Sequence, residues 1–157
     1  MLTIRPESPD QPDVIALLGA LDDYLAALYP PEANHLLDVQ ALLAPSVRFH
    51  VARRGERAVG TGAVRLMEGE PDTAGERYGE IKRMFVDPAE RGRRTGERLL
   101  ETLERRLLEE GVRLALLETG RDQTAAVRLY ERCGYQPRAA FGGYPDNGLS
   151  LFMAKRL

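Results

Sequence analysis

Thiol, imidazole and ammonium side chains are scarce in this chain. Its 157 residues include one cysteine, Cys133, and two histidines, and its only lysines are Lys82 and Lys155. A single thiol cannot form a disulfide within the chain, and a cysteine-based metal site would need further sulfur ligands. We therefore expect no bound metal, and we expect Cys133 to be a buried core thiol.

Net charge and long apolar segments are lacking as well. The 22 Lys and Arg residues are balanced by 24 Asp and Glu residues, which leaves a formal net charge of −2. Nonspecific nucleic-acid binding needs a strongly positive surface instead. No apolar run approaches the ~20 residues that cross a bilayer, and the first residues lack the pattern of a secretory signal. We expect a cytoplasmic protein without nucleic-acid or membrane partners.

The pattern of apolar residues predicts one compact domain over residues 1–157, because a chain of this length with 43% hydrophobic residues can build one core. Asn34 is the expected N-cap of the second helix. The element order is that of a mixed α/β chain with a largely antiparallel sheet. Period-2 and period-3.6 patterns predict strands at 2–5, 47–53, 58–67, 77–86, 112–118 and 149–156, and helices at 13–29, 34–43, from the turn after residue 96 to about 111, and 123–133.

The turn between the strand ending at Val86 and the following helix carries the strongest functional signal. Asp87-Pro88 ends the strand, and Arg91-Gly-Arg-Arg-Thr-Gly96 leads into the helix. Backbone N–H groups and the positive end of the helix dipole would meet there, which suits a phosphate-rich anion. An ordinary strand-to-helix connection explains the same residues without a ligand.

Residues 80–100 resemble motif A of the GNAT superfamily of acyl-CoA N-acyltransferases, whose signature Gln/Arg-x-x-Gly-x-Gly/Ala stands here as residues 91–96. Arg94 replaces a usual glycine, which is tolerable if its side chain points outward. Residues 123–135 resemble motif B of the family, Asn-x-x-Ala-x-x-x-Tyr-x-x-x-Gly-Phe, with Gln123 for Asn and Tyr135 for Phe. The two motifs, in the family's order and spacing, cover about residues 80–135.

The resemblance implies a GNAT-like fold, with six to seven strands in a mixed, largely antiparallel sheet flanked by about four helices. The strands ending at Val86 and Glu118 would splay into a V-shaped cleft for the pantetheine arm of acetyl-CoA. The co-substrate contacts implied are Met84, Phe85, Val86, Arg91, Gly92, Arg93, Arg94, Thr95, Gly96, Glu97, Gln123 and Ala126.

The implied activity is transfer of an acetyl group from acetyl-CoA to a primary amine of a small molecule, an amino acid-like compound among them, or of a peptide. Glu80 stands at the family offset for a general base, and Tyr130 at that of the phenol beside the CoA sulfur. The N–H of Val86 would donate to the thioester carbonyl. Two alternatives remain open: Glu80 forms an ion pair with Lys82 or anchors substrate, and Tyr130 is a core aromatic.

The acceptor would meet the loop after the first helix and the rim of the cleft. Helix capping and surface exposure explain the loop residues equally well. Lys82 and Arg83 should point to opposite faces of their strand, so that at most one enters the cleft. The predicted substrate contacts are Tyr24, His35, Lys82, Glu118 and Tyr144.

A function of another class is a CoA-binding sensor or interaction domain that keeps the fold but not the turnover. Arg94 and Gln123, which depart from the motifs, favour that alternative, whereas Glu80 and Tyr130 favour catalysis. Homodimers are common in the family, so the resemblance is compatible with a homodimer. The sequence does not indicate which residues would form its interface.

Overall fold

The computed structural model of the protein describes residues 1–34 and 37–157. In these residues four α-helices pack on a single seven-stranded sheet. The elements are β1 (Leu2–Pro6), α1 (Pro12–Leu28), α2 (Val39–Leu42), β2 (Val47–Arg54), β3 (Arg57–Met67), β4 (Tyr78–Val86), α3 (Thr95–Glu109), β5 (Leu114–Gly120), α4 (Thr124–Arg132), β6 (Gln136–Arg138) and β7 (Ser150–Arg156).

The strand order is β1-β2-β3-β4-β5-β7-β6, and only the β4–β5 pair is parallel. The predicted mixed, largely antiparallel sheet is therefore confirmed. The sequence did not predict β6, since its three residues include Pro137 and carry no alternating pattern. Pairing with β7 supplies its strand conformation.

The two central strands splay apart as predicted. Parallel pairing runs only from Gly79 opposite Ala115 to Ile81 opposite Leu117. Beyond that point β4 continues to Val86 and β5 to Gly120 without pairing to each other. Lys82 and Glu118 are the first residues after the last pair.

An irregularity in β4 changes where its charged side chains point. The register with β3 shifts between Thr61 and Ala63, and Arg83 has a left-handed φ of 55°. Lys82 lies opposite Ala63, which packs in the core under α1, and Arg83 donates to Asp22 on α1 at 2.6 Å. Both side chains thus lie on the α1 side of the sheet. The predicted opposite faces are wrong, because strict alternation fails where a bulge inserts an extra residue.

The helices cover both faces of the sheet. Leucines of α3 and Tyr130 of α4 pack with β-strand residues such as Ile81 and Met153 on one face, and Val14 and Leu18 of α1 pack with Phe49 on the other. Cys133, at the end of α4, contacts the first of these cores but is half-buried, so the prediction of a buried thiol holds only in part. Within the described residues every helix falls short of the length and apolarity that a membrane span needs.

The second helix begins later than the sequence predicts. Asp38 is its N-cap, and its carboxylate accepts from the N–H of Ala41 at 2.8 Å. Asn34 instead follows a short 3-10 turn, with extended backbone. Asn34 as N-cap is therefore wrong: Asn and Asp are both good caps, and the two prolines at 30 and 31 place the 3-10 turn ahead of Asn34.

Candidate active site

A groove of about 420 Å³ runs between the turn before α3, the end of β4, and helices α1 and α4. It brings together residues that the sequence analysis assigned to the co-substrate. Arg93 is the exception, since it is absent from the lining and its backbone N–H donates to the backbone carbonyl of Glu90 at 3.3 Å. The predicted residues that line the groove are Met84, Phe85, Val86, Arg91, Gly92, Arg94, Thr95, Gly96, Glu97, Gln123 and Ala126.

The turn presents open backbone donors to this groove. The N–H of Arg91 is used internally, donating to Pro88 at 3.2 Å, as is that of Arg93. The N–H groups of Gly92 and of residues 94–97 have no hydrogen-bond acceptor within residues 1–34 and 37–157. Five open donors and the positive end of the α3 dipole are therefore gathered in this turn, which is an arrangement suited to a diphosphate.

Arg94 explains how a bulky residue replaces the motif's glycine. Its φ of 61° lies in the left-handed region, where glycine is preferred. Its side chain is 79% exposed and pairs with Glu97 at 3.1 Å. The guanidinium therefore flanks the groove and does not fill it.

Gly96 is needed for packing as well as for backbone approach. A Cβ at this position would lie 3.0 Å from Cδ2 of Leu129 on α4. The absence of a side chain lets α3 and α4 approach closely at the groove wall.

A buried carboxylate, Glu90, supports the turn from within. Its side chain is 1% exposed, and it accepts two hydrogen bonds from Arg54 and one from Thr95, the first residue of α3. Burial alone would raise the pKa of Glu90, but the hydrogen bonds and positive charge of Arg54 outweigh that and hold it below its ordinary value. The sequence did not predict this role of Glu90, because an acid in an arginine-rich turn is typical of a solvated surface.

A second, smaller cavity of about 90 Å³ opens beside the groove on the α1 side of the V. Lys82 and Glu118, which flank the point where β4 and β5 separate, both line it, as do Tyr29, Gly120 and Ser150. Arg83 lines it too, so the prediction that at most one of Lys82 and Arg83 enters the cleft is wrong. Four residues line both spaces, so the small cavity meets the groove there: Leu21, Met84, Gln123 and Tyr130.

Tyr130 stands at this junction. Its side chain is only 6% exposed, yet its hydroxyl has no hydrogen-bond partner in the described part of the chain. Burial raises the pKa of Tyr130, so the phenol keeps its proton at neutral pH. The ring packs edge-on against Tyr135, with 5.9 Å between centroids, which fixes its position.

Glu80 lies behind the small cavity. Its carboxylate is 1% exposed and accepts from Arg65 at 2.9 Å and from the Tyr144 hydroxyl at 2.5 Å. The ammonium of Lys82 lies 3.7 Å from it. Among the described residues Glu80 lines neither cavity. The ion pair that the sequence left as an alternative is thus present, and the carboxylate is not placed in direct reach of an acceptor.

The predicted substrate contacts divide between the two spaces. Lys82 and Glu118 line the small cavity, where Glu118 accepts from Ser150 at 2.6 Å, while Tyr24 lines the larger groove. Tyr144 lines neither of them, but its hydroxyl accepts from Lys82 at 2.9 Å. His35 lies outside the described residues.

Burial lowers the pKa of Lys82, whereas the charges of Glu80 and Glu118 act in the opposite direction. Gly120, which lines the cavity, was not predicted, and Tyr29 was not named as a contact although the acceptor was expected to meet the loop that begins with it. The two prolines after Tyr29 predicted the end of α1 but not the position of its ring.

Comparison with known proteins agrees with this geometry. The sequence profile of the Acetyltransferase (GNAT) family matches residues 15–135. The chain belongs to this family. A relative from Azospirillum brasilense named IAA acetyltransferase is 48% identical, and the alignment covers 99% of this chain and 98% of the relative. The chain is thus an acetyltransferase of the GNAT family.

Solved structures agree with the family assignment. A protein from Klebsiella pneumoniae described as a putative acyl-CoA N-acyltransferase superposes with a TM-score of 0.79 and 37% identity, over 100% of this chain and 98% of that one. The PaiA N-acetyltransferase of Thermoplasma acidophilum, solved in complex with coenzyme A, superposes with a TM-score of 0.73 at 15% identity, over 100% and 99%. The second likeness shows the shared fold alone.

Proposed function

We propose that the protein transfers the acetyl group of acetyl-CoA to the amine of a small molecule by direct attack, with the co-substrate in the groove and the acceptor in the small cavity. One observation carries the proposal: the unpartnered hydroxyl of Tyr130 lies where the two spaces meet. A thioester in the groove and an amine in the cavity would come together at this group.

The co-substrate is bound by backbone groups. The open N–H groups of Gly92 and residues 94–97 hold the diphosphate. The pairing of β4 with β5 ends at Ile81, so the part of β4 beyond it pairs with the amide units of the pantetheine arm as an added strand. The N–H of Val86 is assigned to the thioester carbonyl at the end of β4.

Tyr130 and Glu118 are assigned the proton-handling roles. The amine nitrogen bonds to the carbonyl carbon, the carbon–sulfur bond breaks, and the sulfur leaves with the electron pair. Tyr130 donates its O–H to the sulfur as negative charge develops, because its raised pKa keeps that proton in place. Glu118, which lines the cavity, takes the proton of the attacking amine. Glu80 supports the site by holding Lys82 and Tyr144.

The acceptor is a small amine that also carries an acidic group. A cavity of about 90 Å³ suits a compact molecule better than a folded peptide surface. Its charged lining residues are Glu118, Lys82 and Arg83, and Arg83 is paired with Asp22 on α1 at 2.6 Å. An ammonium beside Glu118 and a carboxylate beside Lys82 would complement these charges, which is the charge pattern of an amino acid-like compound.

The test is thiol release from acetyl-CoA with separate acceptors: amino acids, polyamines, and IAA, which the name of the A. brasilense relative supplies. Amino acids should release thiol faster than polyamines, and mass spectrometry should find the acetyl group on nitrogen. Faster turnover of polyamines would overturn the acceptor class. Binding of CoA without release under every acceptor would favour a sensor over an enzyme.

A further inference from the structure

We infer that Tyr29 sets the size of the acceptor that the protein accepts, because its phenol ring forms the wall of the small cavity against Gly120. This inference rests on the proposed function and deepens it, since it concerns which amines fit that cavity. Both residues line the space.

Gly120 and the ring of Tyr29 occupy adjoining space. A Cβ built at Gly120 would overlap the side chain of Tyr29. Its three nearest atoms are the hydroxyl oxygen and two ring carbons of that tyrosine. The glycine at the end of β5 therefore leaves the room that the phenol fills. Tyr29 is 7% exposed and packs with Leu21 and Leu25.

Both ends of Tyr29 are fixed. Its backbone N–H donates to Leu25 at 2.9 Å, where α1 ends, and its hydroxyl accepts from the N–H of Asp122 at 3.2 Å. Burial raises the pKa of Tyr29, so the phenol stays neutral. A ring held at both ends is a rigid wall, and rigid walls exclude larger groups by steric overlap. Removing the ring would enlarge the cavity on its α1 side by about the volume of a phenol.

The experiment compares three variants with the wild-type protein. Tyr29→Ala removes the wall, Tyr29→Phe keeps the ring and loses the bond to Asp122, and Leu28→Ala is the matched control. Leu28 is the preceding residue, is 41% exposed and lines neither cavity. The probes are glycine, leucine and phenylalanine, each assayed for thiol release from acetyl-CoA. The same amino acids are titrated by calorimetry into protein saturated with CoA.

Tyr29→Ala should raise the preference for phenylalanine over glycine by roughly tenfold or more. The change should appear both in the ratio of kcat/KM values and in the ratio of Kd values. Tyr29→Phe and Leu28→Ala should keep the wild-type preference. A shift in Kd without thiol release from any protein would support the wall while the proposed acetyl transfer fails. An unchanged preference in Tyr29→Ala, or no binding and no turnover of any probe, would overturn the inference.

A second measurement tests the contact itself without an acceptor. Gly120→Ala should lower the midpoint of thermal unfolding by roughly 2–10 °C, because the new methyl group overpacks the ring. In the Tyr29→Ala background the same substitution should lower the midpoint much less. Equal losses in the two backgrounds would show that the ring does not fill the space beside Gly120 and would overturn the inference.

Discussion

Nε of Arg54 donates to both carboxylate oxygens of Glu90, at 2.8 and 3.0 Å, and so ties the hairpin between β2 and β3 to the turn before α3. Glu90 in turn accepts from Thr95 at 3.2 Å. A negative charge beside a site for diphosphate would repel the ligand unless cations neutralise it. We therefore expect Arg54 to support co-substrate binding although it lines neither cavity.

Arg54→Met should weaken CoA binding by roughly tenfold, since it leaves the Glu90 charge less compensated next to the phosphates. Titration calorimetry with CoA measures this effect. Arg57→Met is the matched control, because Arg57 contacts the same carboxylate at a longer 3.5 Å and is 59% exposed. Equal affinity of Arg54→Met and wild-type protein would contradict the supporting role.

Tyr130→Phe should lower kcat by ~10²-fold and leave CoA affinity nearly unchanged, because the hydroxyl acts on the leaving sulfur and not on the phosphates. Steady-state kinetics and calorimetry separate the two effects. Tyr135→Phe is the control: that phenol packs against Tyr130, bonds to Glu104 at 2.9 Å and lines neither cavity. Near-normal turnover of Tyr130→Phe would make Tyr130 a core aromatic.

The sequence predicted the parts of the site that depend on local backbone chemistry. A strand break, a glycine-containing turn and an amphipathic helix lie next to one another in the chain, and the turn at 91–96 was recognised for that reason. It did not predict features that arise from contacts between distant residues. Three such features are the bulge at Arg83, the packing of Tyr29 against Gly120 and the hydrogen bond from Tyr144 to Glu80. Each depends on segments that are distant in sequence, and the periodicity of one segment does not report on the other.

Glu80 illustrates the limit of reasoning from offset alone. Its place on β4 was predicted correctly, and so was its nearness to Lys82. Its surroundings depend on Tyr144, which approaches from a loop 64 residues away in sequence. That contact and the one from Arg65 hold a carboxylate that lines neither cavity.

Glu118→Gln should therefore lower kcat by ~10²-fold with CoA affinity retained, because the acceptor's proton loses its carboxylate. Glu80→Gln is the comparison, and it should change kcat less than tenfold. It should also lower the midpoint of thermal unfolding, because Arg65 and Lys82 lose their buried counter-charge. Kinetics and thermal unfolding of both variants decide the matter. A large loss of kcat in Glu80→Gln with unchanged stability would assign the base role to Glu80 instead.

The stability of the fold should depend on pH through Glu110, which links β2 to the end of α3. Hydrogen bonds from Arg48, two at 2.8 Å, and one from Arg106 hold the pKa of Glu110 below its ordinary value of 4.5. A carboxyl group with a lowered folded pKa stabilises the protein fully above pH 4.5, and this contribution is lost as pH falls through the folded pKa.

Glu110→Gln should thus cost about 1 kcal/mol of unfolding free energy at pH 7, a figure reduced for solvent screening of a partly exposed pair, and the difference from wild type should shrink below pH 4.5. Urea unfolding at several pH values measures it. Glu109→Gln is the control, because Glu109 is exposed. A difference that stays constant from pH 7 to pH 3 would contradict the ionic origin of the stabilisation.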